Sequence, residues 1–174
     1  MKYSDIYRLY STSQPKDAIH QALREVPVDD SDEQYEDRSP LHLACQYGDA
    51  EGGKILLERD AEPNTKDANG STPIHILGRT SAGRADEDKL KEIAVMLMEH
   101  GANIPRPAKT TTALIECVRN RHFKMAEAII NSGARVNSTD LNGENVLFGF
   151  CAASGDIRRD IRFAKKELDE SVQY

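Results

Sequence analysis

Ser39-Pro40-Leu41-His42 recurs 33 residues further along the chain as Thr72-Pro73-Ile74-His75. Weaker copies begin at Thr112, as Thr-Ala-Leu-Ile, and at Asn145, as Asn-Val-Leu-Phe. After each start, small residues, a polar turn, an apolar segment and a stop such as Gly133-Ala134 follow in the same order. Thr or Ser can cap a helix, and Pro fits its first position without losing a hydrogen bond. A period in the low thirties, made of one turn and two helices, predicts a solenoid of stacked repeats.

The repeated residues resemble those of a known family. Ser39-Pro40-Leu41-His42-Leu43-Ala44 and Thr72-Pro73-Ile74-His75 are similar to the T-P-L-H-x-A phrase of the ankyrin-repeat family, which has a 33-residue period. The turn Asp67-Ala68-Asn69-Gly70, which returns as Asp140-Leu141-Asn142-Gly143, adds to the likeness over about residues 35 to 160. The resemblance implies an all-α helical solenoid of about four stacked helix-turn-helix repeats, with β-hairpin-like finger loops and helical caps.

We expect one domain, divided by the repeat register. The divisions are an N-terminal cap at 1–34, repeat 1 at 35–67, repeat 2 at 68–107, repeat 3 at 108–140, and repeat 4 with the C-terminal cap at 141–174. Repeat 2 carries about eight extra residues between its helices, within 78–89. Such an insertion is either a tolerated surface loop or a functional one. The apolar stripe Ile157, Ile161, Ala164 and Leu168 fits a capping helix, or equally the helix before further repeats.

Composition argues against several functional classes. The chain has 174 residues, a net charge of −6 and no Trp, which is typical of a soluble acidic protein. Its start lacks an apolar core of signal-peptide length, and its longest apolar run, Ile93 to Met98, is too short to span a membrane. We therefore expect an intracellular, cytoplasmic monomer, although export without a signal would leave no trace. Nucleic acid is disfavoured, because the total charge is negative and no aromatic row accompanies the basic residues.

Residue types that support chemistry are explained by their place in the repeat. Cys45, Cys117 and Cys151 occupy positions where the first helix needs small side chains, so we expect free, structural thiols. His42 and His75 occur once per repeat, and in the resembled family this histidine hydrogen-bonds to the capping hydroxyl and nearby backbone. We expect no catalytic residue, no cofactor and no metal ion.

One stretch imitates a phosphate-binding loop. Gly48-Asp49-Ala50-Glu51-Gly52-Gly53-Lys54 fits G-x-x-x-x-G-K, but that loop needs a preceding strand and a Ser or Thr after the Lys. Ile55 stands in the hydroxyl's place, and Gly48 is explained as the turn between two repeat helices. The sequence therefore argues against nucleotide binding.

Charge is unevenly distributed along the chain. Residues 28–37 contain six acidic side chains and no basic one, whereas residues 101–136 contain six basic and two acidic side chains. This polarity is explained either by solvated surfaces or by electrostatic complementarity to a partner.

A protein partner is the expected ligand. In the resembled family, partners lie along the finger tips and the exposed side of the first helices. By register, those positions are Tyr35, Glu36, Arg38, Gln46, Tyr47, Asn69, Ser71, Arg79, Lys109, Thr111, Arg119, Asn120, Leu141, Asn142 and Glu144. We expect Tyr35, Tyr47 and Arg119 to contribute most, because interface energy concentrates in a few Tyr, Trp and Arg side chains. The alternative is that each is an ordinary surface residue.

The resemblance implies a non-catalytic protein–protein interaction module that binds its partner through the finger loops and the concave face of the inner helices. The alternative is a targeting or regulatory region of a larger protein or complex whose catalytic region lies elsewhere. Fold alone does not decide between them, since function depends on the site.

Overall fold

The computed structural model describes residues 1–80, 86–104, 112–136, 139, 143, 145 and 146. Its α-helices are α1 (Tyr3–Ser11), α2 (Lys16–Glu25), α3 (Pro40–Tyr47), α4 (Ala50–Leu57), α5 (Pro73–Gly78), α6 (Glu87–Glu99), α7 (Ala113–Arg119) and α8 (Phe123–Asn131). A single 3-10 turn, Glu33–Tyr35, precedes α3. The described residues confirm the all-α prediction.

The helices stack in two layers. Each odd-numbered helix packs against the helix that follows it, so the chain forms consecutive helix pairs. The first helices of the pairs, α1, α3, α5 and α7, contact one another in chain order, and so do the second helices, α2, α4, α6 and α8. One hydrophobic cluster runs through the stack from Tyr3 to Val146. Because the described helix pairs stack on one another in chain order, the predicted solenoid is confirmed.

Two repeat helices start with the same local arrangement. Pro40 and Pro73 occupy the first turn of α3 and α5, as the sequence predicts. At α3, the Ser39 hydroxyl lies 2.9 Å from His42 Nδ1, and the Ser39 amide donates to the same nitrogen at 3.1 Å. At α5, the Thr72 hydroxyl lies 2.8 Å from His75 Nδ1. The predicted contacts of these histidines with the capping hydroxyls are confirmed at both helix starts.

Backbone and imidazole hydrogen bonds join neighbouring repeats. Since His42 Nδ1 accepts a hydrogen bond from the Ser39 amide, its Nε2 carries the hydrogen and donates to the Ser71 carbonyl at 3.1 Å. The Ala68 amide donates to the Glu36 carbonyl at 2.8 Å, which connects the first finger to the second. These bonds fix each finger relative to the next one.

The second finger is a closed, hydrogen-bonded turn. The Asp67 carboxylate accepts from the amides of Asn69 and Ser71, at 2.9 and 2.8 Å, and the Asp67 amide donates to the Ser71 carbonyl at 2.9 Å. Gly70 has φ 74°, a left-handed conformation that favours glycine. No residue in the described ranges forms a β-strand, so the hairpin-like shape comes from this turn.

The extra residues of repeat 2 do not all form a loop. Gly78 ends α5 and Glu87 begins α6, while residues 81–85 lie outside the described ranges. Helix α6 has 13 residues against 8 in α4, so some of the inserted residues lengthen the second helix. The added turn contacts the next repeat, because Glu87 Oε1 accepts from the Phe123 amide at 2.7 Å, at the start of α8.

The stretch that imitates a phosphate-binding loop contains helix instead. Gly52 and Gly53 lie within α4, and the Lys54 ammonium is exposed, 4.0 Å from the Glu58 carboxylate. A Cβ atom on Gly52 would lie 2.7 Å from an Asp49 carboxylate oxygen, so this glycine serves close packing. The predicted C-terminal stripe of residues 157–168 lies outside the described ranges.

Candidate protein-interaction surface

The predicted binding positions differ in exposure. Glu36 and Asn69 are exposed, whereas Tyr35, Arg38, Gln46, Tyr47, Arg79, Arg119 and Asn120 are half-buried. Lys109, Thr111, Leu141, Asn142 and Glu144 lie outside the described residues. Below, the binding face means the predicted positions that the structure describes, which are Tyr35, Glu36, Arg38, Gln46, Tyr47, Asn69, Ser71, Arg79, Arg119 and Asn120.

Ser71 is a correction to the predicted surface. It is 0% exposed, and its hydroxyl accepts a hydrogen bond from Arg79 Nη1 at 3.1 Å. The finger turn directs this side chain inward, because the Ser71 backbone is bound on both sides, to Asp67 and to His42. Ser71 therefore supports Arg79 and has no exposed surface for a partner.

Arg38 organises the first finger. Its Nη2 lies 2.6 Å from Glu36 Oε2, and its Nη1 donates to Gln46 Oε1 at 3.0 Å. Its Nε lies 3.6 Å from Asp67 Oδ2, which is a charge contact too long for a hydrogen bond. Since Asp67 closes the next finger, this one guanidinium connects the first finger, helix α3 and the second finger.

Arg79 has the corresponding role in the following repeat. Its Nε donates to Glu116 Oε1 at 2.9 Å, while its Nη1 reaches Ser71. Asn120 donates from Nδ2 to the carbonyls of Gly78 and Glu116, at 3.1 and 2.9 Å. These polar side chains of the binding face are therefore held in place by residues of adjacent repeats.

The two predicted tyrosine anchors pack against helix α1. The Tyr47 ring stacks on Tyr10, with ring centroids 4.8 Å apart and an interplanar angle of 16°. The Tyr35 ring lies 4.3 Å from Tyr7 and 5.7 Å from Tyr3. The N-terminal cap therefore contributes to this end of the binding face, although the sequence prediction treated it only as a cap. The signal for this was available, because Tyr3, Tyr7 and Tyr10 recur at helical spacing.

The sequence prediction also did not include a polar cluster around one buried carboxylate, that of Asp49. Asp49 Oδ2 accepts from the Tyr10 hydroxyl at 2.9 Å and lies 3.0 Å from His20 Nε2, while Asp49 Oδ1 lies 3.3 Å from Lys16 Nζ. Burial alone would raise the pKa of Asp49, but hydrogen bonds from His20 and Tyr10 lower it below its usual range. Burial, and then the neighbouring Asp49 charge, raises the pKa of Tyr10. This cluster fastens the cap helices to repeat 1.

Cys45 and Cys117 are buried free thiols whose pKa is raised by burial, which agrees with their predicted structural role, while Cys151 lies outside the described ranges. No group of three or more His, Cys, Asp or Glu side chains in the described ranges is arranged to hold a metal ion. Among the helices described, none combines the length and the apolar character needed to cross a bilayer.

Known proteins match this chain over its repeats. Residues 22–77 match the family model described as "Ankyrin repeats (many copies)". The "Transient receptor potential cation channel subfamily A member 1 homolog" of Caenorhabditis elegans is 33% identical over 98 residues, which is 56% of this chain and 8% of that protein. The "Neurogenic locus notch homolog protein 1" of Xenopus tropicalis is 35% identical over 133 residues, and that of Homo sapiens is 31% identical over the same length.

These relatives are much longer proteins. The notch homologs are matched over 76% of this chain, yet the chain spans only 5% of their length. Ankyrin repeats are generally protein–protein interaction modules, and their fold is a non-catalytic interaction fold. The family match extends from α2 into α5 and so includes the complete helix pair α3–α4. Because the structure stacks these same residues as successive repeats, the chain belongs to the ankyrin-repeat family.

Proposed function

We propose that this chain is a non-catalytic module that binds a partner protein across its binding face. The observation that carries the proposal is the row of positioned polar side chains, Arg38, Arg79 and Asn120, one from each of three consecutive repeats. Arg38 is held by Glu36 at 2.6 Å and by Asp67 at 3.6 Å, and Arg79 and Asn120 are held by residues of a neighbouring repeat, at 2.9 and 3.1 Å. Long polar side chains lose rotamer entropy when a partner orders them, and this loss is smaller where they are already held.

The edge of the binding face suits protein recognition. Asn69 and Glu36 project from the first two fingers as exposed polar groups. Tyr35 and Tyr47 offer half-buried aromatic rings, and Arg119 a half-buried guanidinium. Tyrosine and arginine are enriched among the side chains that dominate interfaces, where polar groups surround them. We therefore retain all the described positions except Ser71 as the proposed contact surface.

Retention of proteins from a lysate by paired variants tests this proposal. The face variant Asn69→Arg/Arg119→Glu changes one exposed position, Asn69, and one half-buried position, Arg119, of the binding face. The control variant Lys91→Glu/Glu92→Arg changes two exposed positions on α6, in the other layer. We expect proteins retained by wild type and by the control to be lost by the face variant, with circular dichroism unchanged in all three. Equal retention by all three proteins would contradict the proposal.

A second candidate is a targeting or regulatory region of a larger protein whose catalytic region lies elsewhere. It is favoured by the length of the relatives, of which this chain spans only 5% to 8%. Sequencing the transcript tests it. A reading frame that continues into a catalytic region supports this candidate, and a frame that encodes these repeats alone argues against it.

A further inference from the structure

A cavity of about 260 Å³ opens beside the first finger. The side chains that matter for its chemistry are Tyr3, Tyr7, Tyr35, Glu36, Arg38 and Gln46. We call it the tyrosine cavity. It lies at the N-terminal end of the binding face, where helix α1 meets the 3-10 turn and the start of repeat 1. Its volume is sufficient for one long side chain of a partner.

Negative charge prevails around this cavity. Among the described residues, Arg38 is the cationic one that lines the cavity, and it is already paired with Glu36 at 2.6 Å and with the buried Asp67 at 3.6 Å. Burial raises the pKa of Tyr3 well above its ordinary value, Arg38 opposes that shift, and the charge of Asp32 adds to it. The Arg38 guanidinium is therefore outnumbered by the nearby carboxylates of Glu36, Asp67 and Asp32. This charge balance disfavours an anionic occupant and favours a cationic one.

The neighbouring surface extends this negative field. The acidic stretch of residues 28–37 contains six carboxylates and no basic side chain. It is fixed against the cavity, because the Tyr3 amide donates to Asp30 Oδ2 at 2.8 Å. Asp29 and Glu33 are exposed to solvent, so their charge is available to attract a basic partner. Attraction of this kind increases the association rate and weakens with salt.

Tyr3, one of the lining residues, also carries an unsatisfied polar group. Tyr3 is 1% exposed, and its hydroxyl has no hydrogen-bond partner among the described residues. A buried hydroxyl without a partner destabilises the fold. The phenol oxygen can accept as well as donate, so a donor that enters the cavity and displaces the atoms covering this oxygen would give it a partner. Lysine has three such donors and arginine has five.

We propose that the tyrosine cavity accepts a lysine or arginine side chain from an extended, basic segment of the partner protein. This rests on the proposed binding function and names the chemistry of the partner at one end of the binding face. The apolar stem of the incoming side chain packs on the rings of Tyr7 and Tyr35, while its charge lies near Glu36. Such contacts combine cation–π attraction with charge pairing.

Fluorescence anisotropy with two labelled peptides tests this. The probe alternates Lys and Ser, and its neutral match has Gln in place of every Lys. Two cavity variants, Glu36→Gln and Tyr35→Leu, are compared with Glu92→Gln on α6 and Phe123→Leu on α8, both in the second-helix layer outside the binding face. We expect wild type to bind the Lys peptide, and each cavity variant to bind it about fivefold more weakly, as loss of about 1 kcal/mol requires. The affinity of each control variant for the Lys peptide should stay within about twofold of that of wild type, because substitutions away from the contact have little effect on binding.

Three outcomes overturn the proposal. The first is equal weakening by cavity and control variants, which indicates diffuse charge attraction. The second is equal binding of the Gln peptide or no binding of the Lys peptide. The third is self-association of wild type in sedimentation that Glu36→Gln abolishes, because the occupant is then a second copy of the chain. None of these outcomes contradicts the proposed binding function if Asn69→Arg/Arg119→Glu still fails to retain the proteins that wild type retains. Failure of the cavity proposal is therefore distinguishable from failure of the proposed binding function.

Discussion

Lowering the pH from 7 to 5 is expected to destabilise this fold by about 2 kcal/mol through His42 alone. The imidazole is 0% exposed, and both of its nitrogens are committed, Nδ1 to Ser39 and Nε2 to the Ser71 carbonyl. Burial lowers its pKa to about 4, although the Ser71 carbonyl and the Asp67 charge act in the opposite direction. Protonation would place a second hydrogen on Nδ1, where the Ser39 amide already donates.

The sign and size of this change in stability follow from the different pKa of His42 in the unfolded and folded states. In the unfolded chain His42 takes up a proton near pH 6.5, whereas in the folded protein it remains neutral until about pH 4. As the pH falls between these values, the unfolded state binds more protons, so the free energy of unfolding decreases. Integration of this difference gives about 2 kcal/mol between pH 7 and pH 5, and about 3 kcal/mol by pH 4.

Urea unfolding of wild type and His42→Gln at several pH values isolates this effect. Glutamine at this third helical position can still accept from the capping residue's amide, as in a capping box, but it does not titrate. We expect the variant to be less stable at pH 7 by about 1–2 kcal/mol, because it loses the bond to the Ser71 carbonyl. The difference in free energy of unfolding between wild type and the variant should shrink by about 2 kcal/mol at pH 5, because only wild type loses stability through His42. Other titrating groups, such as Asp49, are common to both proteins and cancel in the comparison.

One result would refute this reasoning. If wild type and His42→Gln lose the same free energy of unfolding between pH 7 and pH 5, the imidazole does not resist protonation in the fold. Protonation of His42 near its ordinary pKa, observed by NMR in the folded protein, would lead to the same conclusion.

Two packing predictions use the same urea assay. Gly52→Ala should cost about 1–3 kcal/mol, because its Cβ would lie 2.7 Å from an Asp49 carboxylate oxygen, and Gly53→Ala, with nothing within 4 Å, should be neutral or stabilising. Equal effects of the two changes would contradict this. Glu87→Ala should cost about 1 kcal/mol, because it removes the acceptor for the Phe123 amide at the start of α8. Glu92→Ala, at an exposed position of α6, provides the control, and an equally small effect at both sites would contradict a stabilising bond between Glu87 and the Phe123 amide.

The repeat itself was readable from the sequence, because its signals are local. Thr72, Pro73 and His75 lie within one helical turn, and their capping contacts depend only on that turn. The 33-residue spacing then placed the helix pairs, since stacking repeats the same environment at the same period. The free, buried state of Cys45 followed from the same register.

What the sequence missed depends on contacts between distant residues. Asp49 reads as a polar turn residue, and its partner His20 is 29 positions away on a cap helix. Tyr35 and Tyr47 were expected at the surface, but α1 continues the first-helix layer and half-covers them. Ser71 was assigned to the finger surface because register gives position along the chain and not the direction of a side chain within an irregular turn.

The contacts that stabilise the stack also orient the proposed binding groups. Arg38 reaches Glu36 within its own finger and Asp67 in the next, and the backbone bond from Ala68 to Glu36 holds the two fingers together. A variant that loosens this junction would therefore weaken binding even where it leaves every contact residue unchanged. Binding and stability should consequently vary together for changes at Asp67, but independently for changes at exposed Asn69. A partner-affinity series that includes both sites separates orientation of the surface from direct contact with it.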